Sequence, residues 1–343
     1  MNLHLKTKAQ AVIFILIMTV VLLLTSCGNA EGEYIDTAIE SANLQFLPPG
    51  ELVDAGDEIF FIRYPECQLY RLKKGTFVAE HFCQDPTCLH VTEKCAVLGA
   101  RSNFENYNGT IYAIDSSNQM LMLKDDHFVK VEGIKGGFTH TGGKLYVCES
   151  GSNATLAYSE NGKLERVVTE EVLGYWRYQI GHYLYGNNGG ATNRIDLNKK
   201  DAEMEVLFEG WGYTDGTYLY QVDLKESHLY RRDLDGMNPV RLLDEPVLTT
   251  VNFDKEYLYF RYYIDQNAAG EKCGEVYRLK KDGTDGPELI ATLPEPVRNI
   301  YTVSEGDWIY VVTTEGYWQN ARETLYAVRI DGSETREITY SDD

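Results

Sequence analysis

From residue 50 onward the chain alternates short apolar stretches with polar turns, and one arrangement keeps returning. A Gly, Asn or Asp turn leads into an apolar-Tyr stretch, a variable polar loop follows, and a further stretch often carries Leu-Tyr-Arg. Residues 215–243, DGTYLYQVDLKESHLYRRDLDGMNPVRLL, are its cleanest copy. There Asp215-Gly216 opens one run, Leu229-Tyr230-Arg231 begins a second, and Asp235-Gly236 turns the chain into a third. Runs this short, rich in Tyr, Val, Ile and Leu and bounded by turn residues, predict strands rather than helices.

Seven copies follow this grammar, centred on Ile59-Phe60, Ile111-Tyr112, Leu145-Tyr146, Leu184-Tyr185, Leu219-Tyr220, Leu258-Tyr259 and Ile309-Tyr310. Their aromatic residues lie between 34 and 52 positions apart. Ahead of them, residues 176–180, 249–253 and 301–304 predict inner strands. Behind the Leu-Tyr-Arg stretches, residues 240–243, 288–291 and 334–339 predict outer ones. Four strands repeated about every 40 residues is the pattern of a β-propeller, whose blades bury their faces only against each other. The expected fold is therefore all-β, a single propeller of four-stranded blades over 50–343. Seven blades are favoured, with six or eight as alternatives because the first and third copies are irregular. Asp235-Gly236, Asp282-Gly283 and Asp331-Gly332 each follow a third strand, where glycine supplies the positive φ of a tight hairpin. Those aspartates read as turn residues rather than calcium ligands.

Tyr220-Gln221-Val222-Asp223, with Leu229-Tyr230-Arg231 and Leu234-Asp235-Gly236, resembles the YWTD-type repeat of low-density-lipoprotein-receptor propellers, and Tyr112-Ala113-Ile114-Asp115 echoes its Tyr-x-x-Asp core. The pattern is also similar to bacterial lipoproteins predicted to share that propeller and, more loosely, to TolB-type propellers. Only two copies keep Tyr-x-x-Asp, and neither has the tryptophan. The receptor propellers imply six blades, and the resemblance carries over no catalytic residue.

Composition places the chain among globular proteins: 343 residues, 43% hydrophobic, with 25 tyrosines. The net charge is −20. An acidic surface without a basic stripe repels phosphate backbones, which excludes nucleic acid as the expected partner, and it repels anionic headgroups too. Membrane attachment then has to be covalent or inserted.

The first residues supply such an attachment. Lys6 and Lys8 precede an apolar run over 11–24, shorter than the roughly 20 residues of a membrane span, which ends in Leu24-Thr25-Ser26-Cys27. This is the form of a secretory leader, and its end resembles the lipobox of bacterial lipoproteins, in which the cysteine is diacylated and becomes the first mature residue. The resemblance implies a signal peptide over 1–26, a palmitate-type lipid on Cys27 and a polar tether over 27–49. Two acyl chains anchor stably where one is marginal. The expected location is extracytoplasmic, on the outer leaflet of the cell membrane or on an outer membrane.

Residues 83–95, CQDPTCLHVTEKC, concentrate chemistry. Cys83, Cys88, His90 and Cys95 are four donors of the kind that close a tetrahedral zinc site. Disulfides are the equal alternative, because six cysteines remain once Cys27 is lipidated and exported proteins meet oxidising conditions. Cys67, Cys148 and Cys273 are the further disulfide candidates. Propeller topology places all six on or near the face where second strands end. That face also carries the long excursions over 262–274 and 313–322, and Tyr64, Tyr262, Tyr263, Tyr317 and Trp318 are its candidate ligand-binding aromatics.

No G-x-S-x-G elbow, H-E-x-x-H helix or phosphate-binding glycine loop occurs. The expected function is a monomeric, membrane-anchored binding or scaffold module for a protein or carbohydrate at the cell envelope. The alternatives are a glycan-active enzyme using carboxylates near the central channel, and a metal or redox sensor using the 83–95 loop.

Overall fold

The computed structural model describes residues 51–341, apart from 65–67, 85–94, 96, 98–99, 101, 150–154, 160–163, 170–174, 189, 200–202, 249–250, 264–270, 304–305 and 316–321. The expected leader, the Cys27 lipidation site and the tether lie outside the described residues, as do Cys67, Cys88, His90, Tyr317 and Trp318. Among the described residues there is no α-helix, only one short 3-10 segment at Glu271–Gly274. No helix there is long and apolar enough to cross a membrane.

The strands fall into seven successive units. The first holds β1 (Leu52–Asp54), β2 (Glu58–Arg63), β3 (Gln68–Lys73) and β4 (Val78–His81). The second and third share a strand: β5 (Ser102–Tyr107), β6 (Thr110–Ile114) and β7 (Gln119–Lys124) lead into the 15-residue β8 (His127–Thr141), followed by β9 (Lys144–Glu149), β10 (Thr155–Ser159) and β11 (Leu164–Thr169). The fourth has β12 (Tyr175–Ile180), β13 (Tyr183–Asn188), β14 (Ala191–Asp196) and β15 (Glu205–Glu209). The fifth has β16 (Trp211–Thr214), β17 (Leu219–Val222), β18 (Leu229–Arg232) and β19 (Val240–Arg241). The sixth has β20 (Asn252–Phe253), β21 (Tyr257–Phe260), β22 (Glu275–Lys280) and β23 (Glu288–Thr292). The seventh has β24 (Val297–Thr302), β25 (Trp308–Glu315), β26 (Arg322–Arg329) and β27 (Thr335–Glu337), and β28 (Thr339–Tyr340) follows.

Every unit is an antiparallel meander, and the described strands form six hydrogen-bonded sheets. Four sheets have four strands, one has five and one has seven. The seven-stranded sheet contains two repeats, because β8 pairs with β7 along its first part (His127 with Lys124) and with β9 along its last (Thr141 with Lys144). Seven repeats of sequence are thus carried by six sheets, so six blades are seen where the sequence favours seven, because the second and third repeats share one sheet. Gly133 and Gly136, both at positive φ (78° and 130°), sit where β8 changes partner. Glycine there bends the strand without interrupting it, where a turn would have split the sheet.

Apolar side chains on both faces of each unit meet those of the next. Among the described residues seven buried clusters result, one at each junction. Val53, Phe60 and Ile62 of the first unit pack on Phe104, Ile111 and Phe128 of the second, for example. Tyr259 and Ile290 of the sixth pack on Ile300 and Val311 of the seventh. The last cluster joins the seventh unit to the first: Leu52, Phe61 and Tyr70 lie against Tyr301, Tyr310 and Leu325. The 334–339 stretch is not one strand. Glu337 still pairs with Tyr326, Ile338 is buried in the closing cluster, and Thr339 and Tyr340 pair in parallel with Val78 and Ala79 of β4. The C-terminal chain thereby clasps the first unit, and Tyr340 packs edge-on against Tyr70 at 4.8 Å.

Side-chain amides tie neighbouring units where backbone pairing cannot. Asn106 Nδ2 donates to Asp54 O at 2.8 Å, and Asn252 Nδ2 to Ile300 O at 2.9 Å. Asn187 holds Gly212 from both sides, donating to its carbonyl at 3.1 Å and accepting from its N–H at 3.2 Å. A Cβ at Gly212 would meet Thr192 Oγ1 at 2.5 Å, so the close approach of the fourth and fifth units requires glycine.

Candidate functional site

Antiparallel order fixes which loops share a face. Third strands run into the Asp-Gly turns on one side. There Asp235 accepts the Met237 N–H at 2.9 Å, Asp282 that of Thr284 at 2.9 Å and Asp331 that of Ser333 at 2.9 Å. Gly236, Gly283 and Gly332 have φ of 81°, 80° and 74°. Their carboxylates are occupied in shaping turns.

The ends of the second strands and the starts of the inner strands lie on the other side. Tyr64 follows β2, Cys83 and Cys95 lie between β4 and β5, and Cys148 lies near the end of β9. Tyr262 and Tyr263 follow β21, and Cys273 immediately precedes β22. The Tyr-x-x-Asp aspartates reach the same side and are structural. Asp223 accepts backbone N–H groups of Lys225, Glu226 and His228 at 2.8–2.9 Å, and Asp115 those of Ser117 and Gln119 at 2.7 and 2.9 Å. Burial alone would raise both carboxyls, but these donors hold them below the ordinary value.

At the junction of the seventh and first units this face carries an ionic cluster. Arg298, at the start of β24, donates from Nη2 to Glu51 Oε1 at 2.8 Å and pairs through Nη1 with Glu323. Glu323 is almost fully buried, and burial pushes the Glu51 carboxyl up against the opposing pull of Arg298. The Arg298 guanidinium also stands 5.8 Å from the ring centre of Tyr64. The adjoining cleft, lined by Glu51, Arg63, Tyr301, Glu323 and Tyr340, has a free volume of about 10 Å³. That is room for one water and not for a sugar ring. Two carboxylates facing one guanidinium clamp the seventh unit to the first.

Of the aromatic candidates, Tyr262 is half-buried and packs edge-on against Phe260 (5.4 Å) and Tyr277 (4.8 Å). Its backbone bridges to Val247, and the Tyr263 N–H donates to Pro246 O at 2.9 Å. Tyr263 itself is 53% exposed. A rigid backbone therefore presents one tyrosine ring to solvent and uses its neighbour as packing.

The structure brings Cys83 and Cys95 together. Their Sγ atoms are 3.7 Å apart, so no disulfide joins the two. Cys95 is 3% exposed, in the cluster between the first and second units, and the Val97 N–H donates to its Sγ at 3.4 Å. Among the described residues no three His, Cys, Asp or Glu side chains gather as a metal site.

One polar cluster has no counterpart in the sequence reading. His140 Nδ1 lies 2.7 Å from Glu105 Oε2, the His140 N–H donates to Glu105 Oε1 at 2.8 Å, and the ring stacks on Tyr107 at 4.2 Å. Glu105 and His140 sit on adjacent inner strands, 35 residues apart, with nothing in their spacing to link them.

No family model matches this chain, and no curated protein matches it. Solved structures resemble it in fold. A streptogramin B lyase is 12% identical with a TM-score of 0.50, over 83% of this chain and 96% of that one. A prolyl endopeptidase is 13% identical with a TM-score of 0.52, over 83% of this chain but 48% of that one. Virginiamycin B lyase from Staphylococcus aureus is 11% identical with a TM-score of 0.49, over 80% of this chain and 93% of that one. At such identities the likeness to the first two shows the propeller fold alone.

Proposed function

We propose that this chain is an extracytoplasmic lipoprotein, anchored through Cys27, whose propeller serves as a binding or scaffold module for a protein or carbohydrate at the cell envelope. The observation that carries the binding role is the asymmetry of the two faces. One consists of tight turns whose aspartates are consumed by backbone N–H groups. The other collects the exposed Tyr263, the Tyr64–Arg298 contact and the neighbouring Cys83 and Cys95 at the ends of strands. Exposed tyrosine on a fixed backbone offers amphipathic contact area at little entropic cost, which suits protein and sugar surfaces alike.

Anchoring is tested by metabolic labelling with a fatty-acid probe. The wild-type chain should take up label and fractionate with membranes, and Cys27→Ser should do neither. Labelling that survives the substitution would refute the anchor. The ligand class is tested by binding the lipid-free domain to host envelope fractions treated with protease or with periodate. Loss of binding after one treatment identifies protein or glycan, and absence of binding to untreated fractions contradicts the role.

A further inference from the structure

We propose that Arg261 and Tyr263, just beyond the end of β21, form a binding site for a sugar acid, with the guanidinium on its carboxylate and the tyrosine ring on its pyranose face. The inference rests on the binding role of the loop face and names the chemistry of the ligand.

The backbone sets the arrangement. Tyr262 bridges to Val247, the Leu248 N–H donates to Arg261 O at 3.0 Å, and the Tyr263 N–H donates to Pro246 O at 2.9 Å. Those bonds hold 261–263 extended, so Arg261 and Tyr263 project to one side and Tyr262 to the other. Tyr262 joins Phe260 and Tyr277 in the cluster shared with the fifth unit. Arg261 thus lies on the side of Tyr259, which packs toward the seventh unit.

The other repeats show what that position ordinarily holds. Two places beyond the strand aromatic, Ile62, Ile114, Val222 and Val312 pack into the seam with the following unit. The fourth unit has Asn187 there, and its amide is bonded to Gly212 and Thr192. The sixth unit sets a cation there instead. Arg261 is half-buried, and its Nε is buried without a hydrogen-bond partner among the described residues. Burial pushes the guanidinium below its ordinary value, and the neighbour that opposes this is Cys273, not a carboxylate. Glu275 of β22 and Glu295 ahead of β24 are committed elsewhere. Glu275 accepts the Tyr277 hydroxyl at 2.6 Å, and Glu295 accepts those of Thr313 and Tyr326 at 3.0 and 3.2 Å. A half-buried guanidinium with no carboxylate departs from the rule its own repeat follows, and such departures mark functional positions.

The ligand class follows from the pair. A guanidinium grips a carboxylate through paired donors. Tyr263 is 53% exposed on that fixed backbone and offers an amphipathic ring face for stacking. Alternate residues of an extended strand stand about 6.6 Å apart, a span that suits one pyranose with a carboxylate at its edge. An acidic side chain of a protein would meet Arg261 but leave the tyrosine face uncovered. With a net charge of −20 the protein repels extended polyanions, so a single carboxylate suits the site.

The test titrates the full chain in detergent by calorimetry with three probes: a glucose trisaccharide ending in one glucuronate, the same trisaccharide with its carboxyl group reduced, and a capped tripeptide with one glutamate. The wild type should bind the first about tenfold more tightly than either of the others. Arg261→Met should weaken that binding about tenfold and raise the thermal midpoint, because an apolar side chain of similar length replaces a half-buried charge. Tyr263→Ala should weaken it severalfold with the midpoint unchanged. No binding of the first probe, equal affinity for its reduced form, preference for the tripeptide, or binding undiminished in Arg261→Met would each overturn the proposal. So would a midpoint that falls in Arg261→Met, because the folded protein would then already satisfy the guanidinium. Envelope binding measured alongside separates this assignment from the role it rests on. Its absence in the wild type contradicts the loop-face role, and its persistence at full strength in Arg261→Met overturns this assignment alone.

Discussion

The Tyr220 hydroxyl donates to the Asp215 carboxylate at 2.9 Å, and 39 residues later Tyr259 makes the same bond to Asp254 at 2.5 Å. In both copies the aspartate also accepts two backbone N–H groups of its own turn, from Thr217 and Tyr218 and from Glu256 and Tyr257. An aspartate five positions before a strand tyrosine therefore locks the turn to the strand it opens. Lys281 of the sixth unit adds an ammonium 3.1 Å from Asp215, so the clamp also couples two units.

Burial would raise the Asp215 carboxyl, but the N–H groups of Tyr218 and Thr217 and the charge of Lys281 outweigh it and hold it below the ordinary range. A depressed folded value means stability that is present above the unfolded pKa of about 3.9 and is lost as pH falls through the folded one. Asp215→Asn should cost about 1–3 kcal/mol at pH 7, the range for orphaning buried donors, and should flatten the acid limb of the stability curve. Urea titrations across pH 3–7 check both.

Glu51 behaves in the opposite sense. Burial raises it, with Arg298 opposing, so the folded state holds the proton more tightly than the unfolded chain. Its contribution to stability is greatest at low pH and declines as pH rises from the ordinary glutamate range through the folded value. Glu51→Gln should remove that decline. The difference in midpoint between wild type and variant, followed from pH 4.5 to 7, should shift steadily in the variant's favour.

Ring closure depends on the last residues. Tyr340 packs on Phe61 and Tyr70, and the Arg63 guanidinium lies 3.9 Å from its ring centre. Tyr340→Ala should cost about 3 kcal/mol, as for other large aromatics truncated in a core. Ending the chain after Ile338 should cost more, because the pairing with Val78 and Ala79 goes too. Protease sensitivity should appear first at the junction of the first and seventh units.

Gly212→Ala places a methyl group 2.5 Å from Thr192 Oγ1 and 2.9 Å from Phe208 Cζ. Overpacking of this kind costs about 1–3 kcal/mol. The same substitution at Gly137, which has open space around it, should be nearly silent in a parallel urea titration.

What could be read from the chain and what could not divide along sequence distance. Strands and Asp-Gly turns rest on local patterns, and Asp235, Asp282 and Asp331 sit in the turns expected of them. The inner strand expected over 301–304 lies earlier, at Val297–Thr302, because its pairing with Ile309–Thr313 and not its own composition sets its limits. The joined second and third units were hidden for a related reason. Gly133, Gly136 and Gly137 look like a turn, yet β8 runs on across a bulge opposite Gln119–Leu121 and changes partner at Gly136. Arg298 with Glu51, and His140 with Glu105, are separated by 247 and 35 residues. Ring closure brings the first pair together, and the packing of neighbouring units the second. The cysteine loop was legible as chemistry, but the proximity of Cys83 and Cys95 needed the structure.

The binding role is tested most directly by titrating the lipid-free domain onto immobilised host envelope fraction. The wild type is compared with a Tyr64→Ala/Tyr263→Ala variant of the loop face and with Met237→Ala, an exposed side chain of the turn face. The loop-face variant should bind about tenfold more weakly, the equivalent of about 1.4 kcal/mol, while Met237→Ala stays within about twofold. Weakening by Met237→Ala with the loop-face variant unaffected would contradict the assignment of the binding face.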